Sequence, residues 1–373
     1  MLYYKSIIGN KINCFIKLFF FIFTYVIFQT NSFAQTCSKF MVSQTVPPSF
    51  SNQMSKQQLN QNTANSSQYF DINEALRDST SGDVICFKTG IYPAIRIINI
   101  DGGLNGITLK AEFDSHVEIL HSGYKGSGVY IYNSKNINIS GLTISGGLYG
   151  IYTKGSSDLS FTNNNISNVG QEGITIKSGI SKQSLSNFTI ANNIITDTGK
   201  TRPQYGEGIY IGDGNDNFNE IITNVKIENN HLRNTSNEAI DIKINVKNVK
   251  IHLNTIIDTN LKFNGAITVA TSTRYGSDAN ISITDNTIRG VTNRLGYRPS
   301  GIAIGQGNAY IANNFISEPS SRFIGICLYS TFVNPDANNI SIESNNIVTN
   351  GVDIYERCTG GTKVNARANA TYM

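Results

Sequence analysis

The chain has 373 residues, with 30 Lys and Arg, 26 Asp and Glu, five Cys, no Trp and a formal net charge of +4. No cluster of Lys and Arg offers a face for phosphate groups, which argues against a nucleic-acid partner. A chain of this length usually folds as two domains, unless internal repeats build one long domain.

Residues 1–34 have the pattern of a secretory signal peptide. Three lysines precede the apolar run LFFFIFTYVIF at 18–28, and Ser32-Phe33-Ala34 is a small-x-small cleavage site. This apolar run is shorter than the roughly 20 residues of a membrane-spanning helix. We therefore predict export to a periplasmic or extracellular location, and a mature chain with no stable membrane span and a net charge of about +1.

Four cysteines remain after this segment is removed, at Cys37, Cys86, Cys327 and Cys358. An even count suits an oxidising compartment, where disulfides form and persist. We predict the pairs Cys37–Cys86 and Cys327–Cys358.

Three local patterns precede the repeats. Residues 35–68 are rich in Ser, Gln and Asn, which predicts a polar N-terminal arm. The segment YFDINEALRDS at 69–79 has apolar residues at helical spacing and predicts a short amphipathic helix. The segment GDVICFKTGIY at 82–92 alternates as a strand does.

From there to about residue 356 the sequence is quasi-periodic, with two interleaved series of short segments. The first series includes SGVYIY, YGIYTK, EGITIK, EGIYIG and EAIDIK, and the second includes LSFTNNNI, FTIANNII and VKIENNHL. Equivalent positions recur every 22 to 37 residues. Two strands per repeat, each with inward Ile or Val, indicate a solenoid whose coils bury apolar faces against their neighbours.

The second series places an asparagine at one position of seven successive repeats: Asn164, Asn193, Asn230, Asn254, Asn286, Asn314 and Asn345. Side-chain amides at one inner corner can donate and accept along the stack and satisfy buried turn groups. The sequence therefore predicts an all-β, single-stranded, right-handed parallel β-helix of roughly ten coils at 69–356, capped by the short helix. Residues 357–373 form the predicted C-terminal tail.

The opening GDVICFKTGIY, the early GITLKA at 106–111 and the ladder repeats together resemble the pectate-lyase-like β-helix superfamily. The resemblance covers about 69–356 and implies the fold, and it says little about the chemistry.

Three glutamates, Glu172, Glu207 and Glu238, precede the strand of the first series in consecutive repeats. Adjacent coils are about 4.8 Å apart, where two like charges repel by roughly 3 kcal/mol at an effective dielectric near 20. We therefore expect a raised pKa or a bound cation. In the competing structural interpretation, the glutamates lie at a corner and accept N–H groups of turns.

Two further columns of equivalent residues follow the glutamates. In EAIDIK they are represented by Asp241, between the two isoleucines, and Lys243, after them, and strand alternation points both outward. Glu238 has the parity of the inward Ile240, so we assume that the following Gly or Ala resets the alternation. The tyrosines can stack on sugar rings or stabilise the sheet. The predicted substrate-binding residues are Tyr130, Tyr152, Lys154, Glu172, Lys177 and Tyr210.

The run from Glu238 to Lys243 in NEAIDIK resembles the chondroitinase B and alginate lyase family. The resemblance implies that Glu238 is a calcium ligand and that Lys243 is the catalytic base. Ser236 stands where the family has a second acid, and ITVATS at 267–272 lacks the family's Arg-His pair. The catalytic acid therefore stays unassigned.

These residues suggest calcium-assisted β-elimination of an acidic, uronate-containing polysaccharide. Removal of a proton next to a carboxylate requires a base, here Lys243, and neutralisation of that carboxylate. Oxygen-only ligands favour calcium. The predicted ligands are Glu207, Glu238, Asp241 and Asp213, although the GDGNDN segment that holds Asp213 also fits a simple turn. Glu207 and Glu238 join Lys243 as predicted catalytic residues.

Two other functions stay open. Glu207 and Glu238 could form the closely spaced carboxylate pair, about 5 Å apart, of a retaining glycoside hydrolase. The chain could also be a non-catalytic surface or adhesive protein that binds glycans. An acidic cluster in an open groove favours an enzyme, and a cluster buried under the loops at 178–187 and 198–206 favours adhesion. The polysaccharide and the oligomeric state are not indicated.

Overall fold

The computed structural model describes residues 36–43, 67–179, 184–214, 220–243, 245–262, 264–269, 279–305, 308–328, 339–355, 363–367 and 370–371. The solenoid lies within the compact unit Ser38–Met373, and only residues 36 and 37 of the other unit, Met1–Cys37, are described. The predicted signal peptide lies outside the described residues.

The described strands form three parallel sheets, here called A, B and C, with 13, 11 and 10 strands. Successive strands of the chain enter different sheets, and each strand pairs with its equivalents one coil before and one coil after. This architecture confirms the predicted right-handed parallel β-helix, whose coil number matches the ten strands of sheet C.

The strands of the three sheets have the following bounds. Sheet A contains β1 (Lys39–Met41), β2 (Ser67–Tyr69), β3 (Val84–Phe87), β6 (Ile107–Ala111), β9 (Lys135–Ser140), β12 (Ser157–Thr162), β15 (Leu185–Ala191), β18 (Ile222–Glu228), β21 (Val246–His252), β24 (Ile281–Thr284), β27 (Ala309–Ala312), β30 (Asn339–Glu343) and β33 (Lys363–Arg367). Sheet B contains β4 (Gly90–Tyr92), β7 (Val117–His121), β10 (Thr143–Gly146), β13 (Asn165–Ser167), β16 (Ile194–Thr196), β19 (His231–Arg233), β22 (Thr255–Leu261), β25 (Thr287–Asn293), β28 (Phe315–Glu318), β31 (Asn346–Thr349) and β34 (Ala370–Thr371). Sheet C contains β5 (Ile95–Ile98), β8 (Ser127–Tyr132), β11 (Tyr149–Lys154), β14 (Ile174–Lys177), β17 (Ile209–Ile211), β20 (Ile240–Ile242), β23 (Gly265–Val269), β26 (Ser300–Ile304), β29 (Ile324–Leu328) and β32 (Val352–Tyr355).

The core is built from columns of β-branched residues that the register stacks coil upon coil. In sheet C, Ile174 pairs with Ile209, which pairs with Ile240, and all three are fully buried. Burial of one such side chain contributes about 2 kcal/mol. The alternation of these isoleucines with polar residues fixes the register, because a slip by one residue would turn the whole column outward.

The predicted asparagine ladder is present at the corner between sheets A and B. Asn193 is typical: its backbone N–H and its Nδ2 both donate to Oδ1 of Asn230, at 3.0 and 2.9 Å, and Nδ2 also donates to the carbonyl of Phe161 at 2.9 Å. All seven asparagines are buried. From Leu142 to Asn345 the ladder ties one coil to the next, and it satisfies corner groups that water does not reach.

The predicted helix is α1 (Ile72–Arg77), which contacts β1, β2 and β5 at the N-terminal end of the solenoid. The Asp71 side chain caps it by accepting a hydrogen bond from the backbone N–H of Asn73. Ile72, Ala75 and Leu76 form its buried face. The helix thus covers apolar groups of the first coil, as predicted.

The ends of the solenoid extend into both segments predicted to flank it. β1 lies within the predicted arm and pairs with β3, supported by an ion pair of 2.5 Å between Lys39 Nζ and Asp83 Oδ2. β33 and β34 lie within the predicted tail and continue sheets A and B. Residues 44–66 lie outside the described part of the chain.

Cys37, Cys86 and Cys327 are disulfide-bonded. The pairing stays a prediction, because Cys358 lies outside the described residues.

Candidate functional site

The predicted outward column of sheet C is formed by strands in register. Tyr130 pairs with Tyr152, Tyr152 with Thr175, Thr175 with Tyr210, and Tyr210 with Asp241. The second column places Lys154 beside Lys177 in the same way. The structure therefore brings the predicted residues onto one face of the solenoid.

The three glutamates lie at the corner between sheets B and C, one coil apart. The carbonyls of Glu172, Glu207 and Glu238 accept the equivalent backbone N–H groups of Gly150, Gly173 and Gly208. The corner is tight, since a Cβ on Gly173 would lie 2.5 Å from the Ile195 side chain and one on Gly208 2.5 Å from Leu232.

This corner resets the alternation, as assumed from the Gly or Ala that follows each glutamate. One carboxylate oxygen from each of Glu207, Glu238 and Asp241 lies within 4.8 Å of the others. The glutamates therefore point to the outer face, together with Asp241, and not into the core beside Ile240. Glu172 occupies the same position one coil earlier than Glu207.

The acidic cluster of Glu207, Glu238 and Asp241 is buried. Glu207 and Glu238 are 3% exposed and Asp241 is 0% exposed. Among the described residues, Oε2 of each glutamate and Oδ1 of Asp241 have no hydrogen-bond partner. Unsatisfied carboxylate oxygens in such a buried position destabilise a protein unless a proton or a cation joins them.

Two asparagines that sequence reasoning missed hold the other oxygens of the glutamates. Asn237 Nδ2 donates to Glu207 Oε1 at 2.9 Å, and Asn264 Nδ2 donates to Glu238 Oε1 at 2.9 Å. Each asparagine lies in the coil after its glutamate, directly before the corner. A signal was present in the sequence, because an amide residue precedes the corner in QEG, NEA and NGA.

Burial is the largest cause of the raised pKa values in this cluster. It raises the pKa of Glu238 to about 7, and the charge of Asp241 acts in the same direction, against Lys243 and Asn264. Burial also raises the pKa of Glu172 to about 7 and that of Glu207 well above its usual range, where Asp241 and Glu238 add to the effect. The pKa of Asp241 is raised by burial and held down by Lys243.

Two lysines flank Tyr210 above this cluster. Lys243 Nζ lies 2.6 Å from Asp241 Oδ2 and 5.4 Å from the centre of the Tyr210 ring, and Lys177 Nζ lies 3.6 Å from that centre. Burial disfavours the charged form of Lys243, but the attraction of Asp241 and Glu238 outweighs it and raises its pKa. Burial lowers the pKa of Lys177, against the attraction of Asp213 and Glu172.

Asp213 does not join the acidic cluster. Its Oδ2 accepts hydrogen bonds from the backbone N–H and the hydroxyl of Ser178, and its Oδ1 lies 4.0 Å from Lys177 Nζ. This carboxylate therefore stabilises the turn after β14, and it is not one of the three acids that converge at the cluster.

The cluster lies at the base of a cleft with a volume of about 470 Å³. Lys177, Lys243, Tyr152 and Tyr210 line it together with the three stacked glutamates. One wall is the segment 199–205, which folds back by one coil: the N–H groups of Thr201 and Arg202 both donate to the Gly170 carbonyl. The loop at 198–206 thus borders the cleft, and the buried acids still face an opening.

Towards the N-terminal end the cleft continues as a row of tyrosines. The Tyr130 and Tyr152 rings are stacked, with centres 5.9 Å apart, and the Tyr149 ring is 4.8 Å from that of Tyr152. The Tyr132 ring is nearly parallel to that of Tyr130 at 6.3 Å. Arg96, in register with Tyr130, lies 4.9 Å from its ring centre.

Residues 95–316 match the family described as right handed beta helix region. The chain belongs to this family. A comparison with curated protein sequences finds no match for this β-helix chain.

Two solved structures share the fold of this β-helix protein. An alginate lyase from Paenibacillus sp. str. FPU-7 has a TM-score of 0.55 and 15% identity, over 80% of this chain and 95% of that one. The pectate lyase Pel9A has a TM-score of 0.50 and 14% identity, over 91% of this chain and 80% of that one. At such identities the likeness concerns the fold alone. Within the described residues, no helix of the β-helix protein is long and apolar enough to cross a membrane.

The acidic cluster of this β-helix protein fits a divalent cation. Three carboxylates and the Lys243 ammonium carry a combined charge of −2 when all are ionised. The ligand atoms are all oxygens and several are unsatisfied, which suits calcium. Glu207, Glu238 and Asp241 would hold the ion.

Proposed function

We propose that this β-helix protein is a secreted, carbohydrate-active protein that binds an acidic, uronate-containing polysaccharide in the cleft of sheet C and cleaves it by calcium-assisted β-elimination. The observation that supports this most is the convergence of three buried carboxylates, with unsatisfied oxygens, at the base of a cleft lined by lysines and tyrosines. A cation bound there would neutralise the substrate carboxylate and so acidify the adjacent C–H.

The chain must then supply a base that accepts this proton. As the C–H bond breaks, a C=C double bond forms, the glycosidic C–O bond at the β carbon breaks, and the leaving oxygen takes up a proton from water. Lys243 is the proposed acceptor, in line with the resemblance of NEAIDIK. Its contact with Asp241 keeps it protonated, so it can act as a base only when the charge of Asp241 is engaged elsewhere. Lys177 is a second amine in the same cleft, and burial lowers its pKa, which eases the loss of its proton.

The remaining side chains bind and orient. Asn237 and Asn264 fix one oxygen of Glu207 and Glu238 and leave the other facing the cluster. Tyr152 offers aromatic surface for sugar rings, whereas the Tyr210 ring is buried and covered by Lys177. Because the carboxylates are held by neighbouring coils, their positions depend on the rigid stack and not on a loop.

The test is to incubate the full chain with alginate, pectate and glycosaminoglycans, with calcium or with a chelator, and to follow the absorbance of unsaturated uronides. We expect product only with calcium, and none from Lys243→Gln. Lys226→Gln, on the exposed face of β18, is the matched control and should retain full activity. Loss of product from Lys177→Gln but not from Lys243→Gln would transfer the base role to Lys177.

Absence of unsaturated product from every polymer would rule out the lyase. Retained binding without product would support the non-catalytic adhesive protein.

A glycoside hydrolase is the second candidate, because carboxylate oxygens of Glu207 and Glu238 lie within 4.8 Å of each other. That spacing is near the roughly 5 Å of retaining enzymes, and a pKa of about 7 keeps part of Glu238 protonated at neutral pH, as a general acid requires. New reducing ends without unsaturated products, insensitive to the chelator, would favour this candidate over the lyase.

A further inference from the structure

The cleft of sheet C is one-sided. From the acidic cluster towards the N-terminal end, the outward column reads Tyr210, Thr175, Tyr152, Tyr130 and Arg96. In the other direction the next three positions are small and buried, Thr268, Ala303 and Cys327, and an aromatic residue returns only at Tyr355, four coils from Asp241. Within the described residues, the partly exposed tyrosines next to the cluster and the exposed Arg96 therefore lie on its N-terminal side.

We propose that Arg96 and the tyrosine row form a distal subsite that binds an anionic sugar of the same polysaccharide chain, and that the polysaccharide lies along the solenoid axis on the N-terminal side of the acidic cluster. This inference rests on the proposed function and adds to it a binding direction and a specificity-determining residue, Arg96.

Arg96 has the properties of an anion-binding group. It is exposed on β5, between the buried Ile95 and Ile97, and it has no ion pair with any acid of the described chain. Its guanidinium lies against the ring of Tyr130, which holds it in place by a cation–π contact. A guanidinium positioned in this way can form paired hydrogen bonds with a carboxylate or a sulfate.

The tyrosine row connects this arginine to the cleft. Tyr149 and Tyr152 line the cleft itself, and Tyr130 and Tyr132 extend the surface by one coil with nearly parallel rings. All four tyrosines are partly exposed. The row thus forms a continuous surface, with aromatic carbon for sugar rings and phenol groups for their hydroxyls.

The length of the surface sets the size of the ligand. Five coil steps separate Arg96 from Asp241, which at about 4.8 Å per step is about 24 Å. Only an oligosaccharide of several sugars can reach both ends. Affinity should therefore rise with chain length until the ligand reaches Arg96, and not beyond.

The experiment measures the affinity of uronate oligosaccharides by calorimetry, for a trisaccharide and for oligomers that span about 24 Å. We expect Arg96→Gln to bind the long oligomers at least tenfold more weakly, the equivalent of one charged hydrogen bond, and to bind the trisaccharide as the wild type does. Tyr130→Ala should show the same selective loss. Arg289→Gln, an equally exposed arginine on β25, should bind both ligands normally.

Sulfated and carboxylated oligomers of equal length distinguish the two anions that Arg96 could bind. Equal affinity of the wild type for short and long oligomers would overturn the distal subsite and leave the proposed function intact. An equal loss for both lengths in Arg96→Gln would also overturn it, by showing a general structural effect. If the wild type binds no uronate oligomer, both proposals fail.

Discussion

Replacement of Glu238 by glutamine is predicted to stabilise the protein at alkaline pH while it weakens the cation site. The pKa of this carboxyl is raised from 4.5 to about 7 in the folded protein. The folded state therefore holds a proton that the unfolded state has released between these two values, so the stability falls as the pH rises through this window. The full cost, above pH 7, is about 3 kcal/mol.

Glutamine removes this cost and keeps the contact with Asn264, because its Oε1 can accept the same hydrogen bond. Its amide group also replaces the unsatisfied Oε2 and can donate to a neighbouring carboxylate. We expect Glu238→Gln to gain about 2 kcal/mol over the wild type at pH 8 and little at pH 5.

The assay is urea denaturation of both proteins across this pH range in the presence of a chelator, with Glu318→Gln as a control of equal chemistry away from the cluster. A wild type and a Glu238→Gln variant whose stabilities change in parallel with pH would refute the reasoning. Added calcium should stabilise the wild type more than the variant, because it binds the ionised cluster.

Three further outcomes are expected, each measured by denaturation. Asn230→Ala should lose about 3 kcal/mol, since it removes four buried hydrogen bonds: two that Nδ2 donates to the Ile190 carbonyl and Asn254 Oδ1, and two that Oδ1 accepts from Asn193. Lys226→Ala, an exposed position on the same strand, should change little. Gly208→Ala should lose about 2 kcal/mol, because the new Cβ would lie 2.5 Å from Leu232. Asp83→Asn should destabilise the protein at neutral pH, and the difference should vanish as the pH falls through about 2, where the wild-type carboxyl takes up its proton despite Lys39.

The fold was predictable because every coil needs the same residue types at the same positions, so the sequence repeats them. Inward isoleucines recur in pairs and ladder asparagines recur once per coil, so that residues far apart in the chain, such as Glu207 and Glu238, could be placed side by side from the sequence. Their grouping with Asp241 needed only the assumption that a small residue turns the corner.

The electrostatics of the site could not be read in the same way. The sequence shows that Lys243 and Asp241 lie on one face. It does not show that the two side chains form a buried ion pair, in which Asp241 raises the pKa of Lys243 and keeps it charged. The position of the segment 199–205 could not be predicted either, because this segment is an insertion between two repeats. Its conformation depends on its own hydrogen bonds to Gly170 and not on the repeated sequence pattern. Arg96 was missed because its segment, PAIRII, departs from the repeated pattern that marks the later strands.

The asparagine ladder also bears on the mechanical behaviour of the rod. From Leu142 to Asn345 it joins each coil to the next at the corner between sheets A and B. At the corner between sheets B and C, the coils of Glu207 and Glu238 instead place buried carboxyl groups next to each other. In a solenoid each coil is stabilised only by its neighbours, so unfolding is expected to start at the least stable junction between two coils. A cation bound by Glu207, Glu238 and Asp241 would strengthen this junction between coils. Cation binding should therefore protect the solenoid from proteolysis on both sides of the cluster.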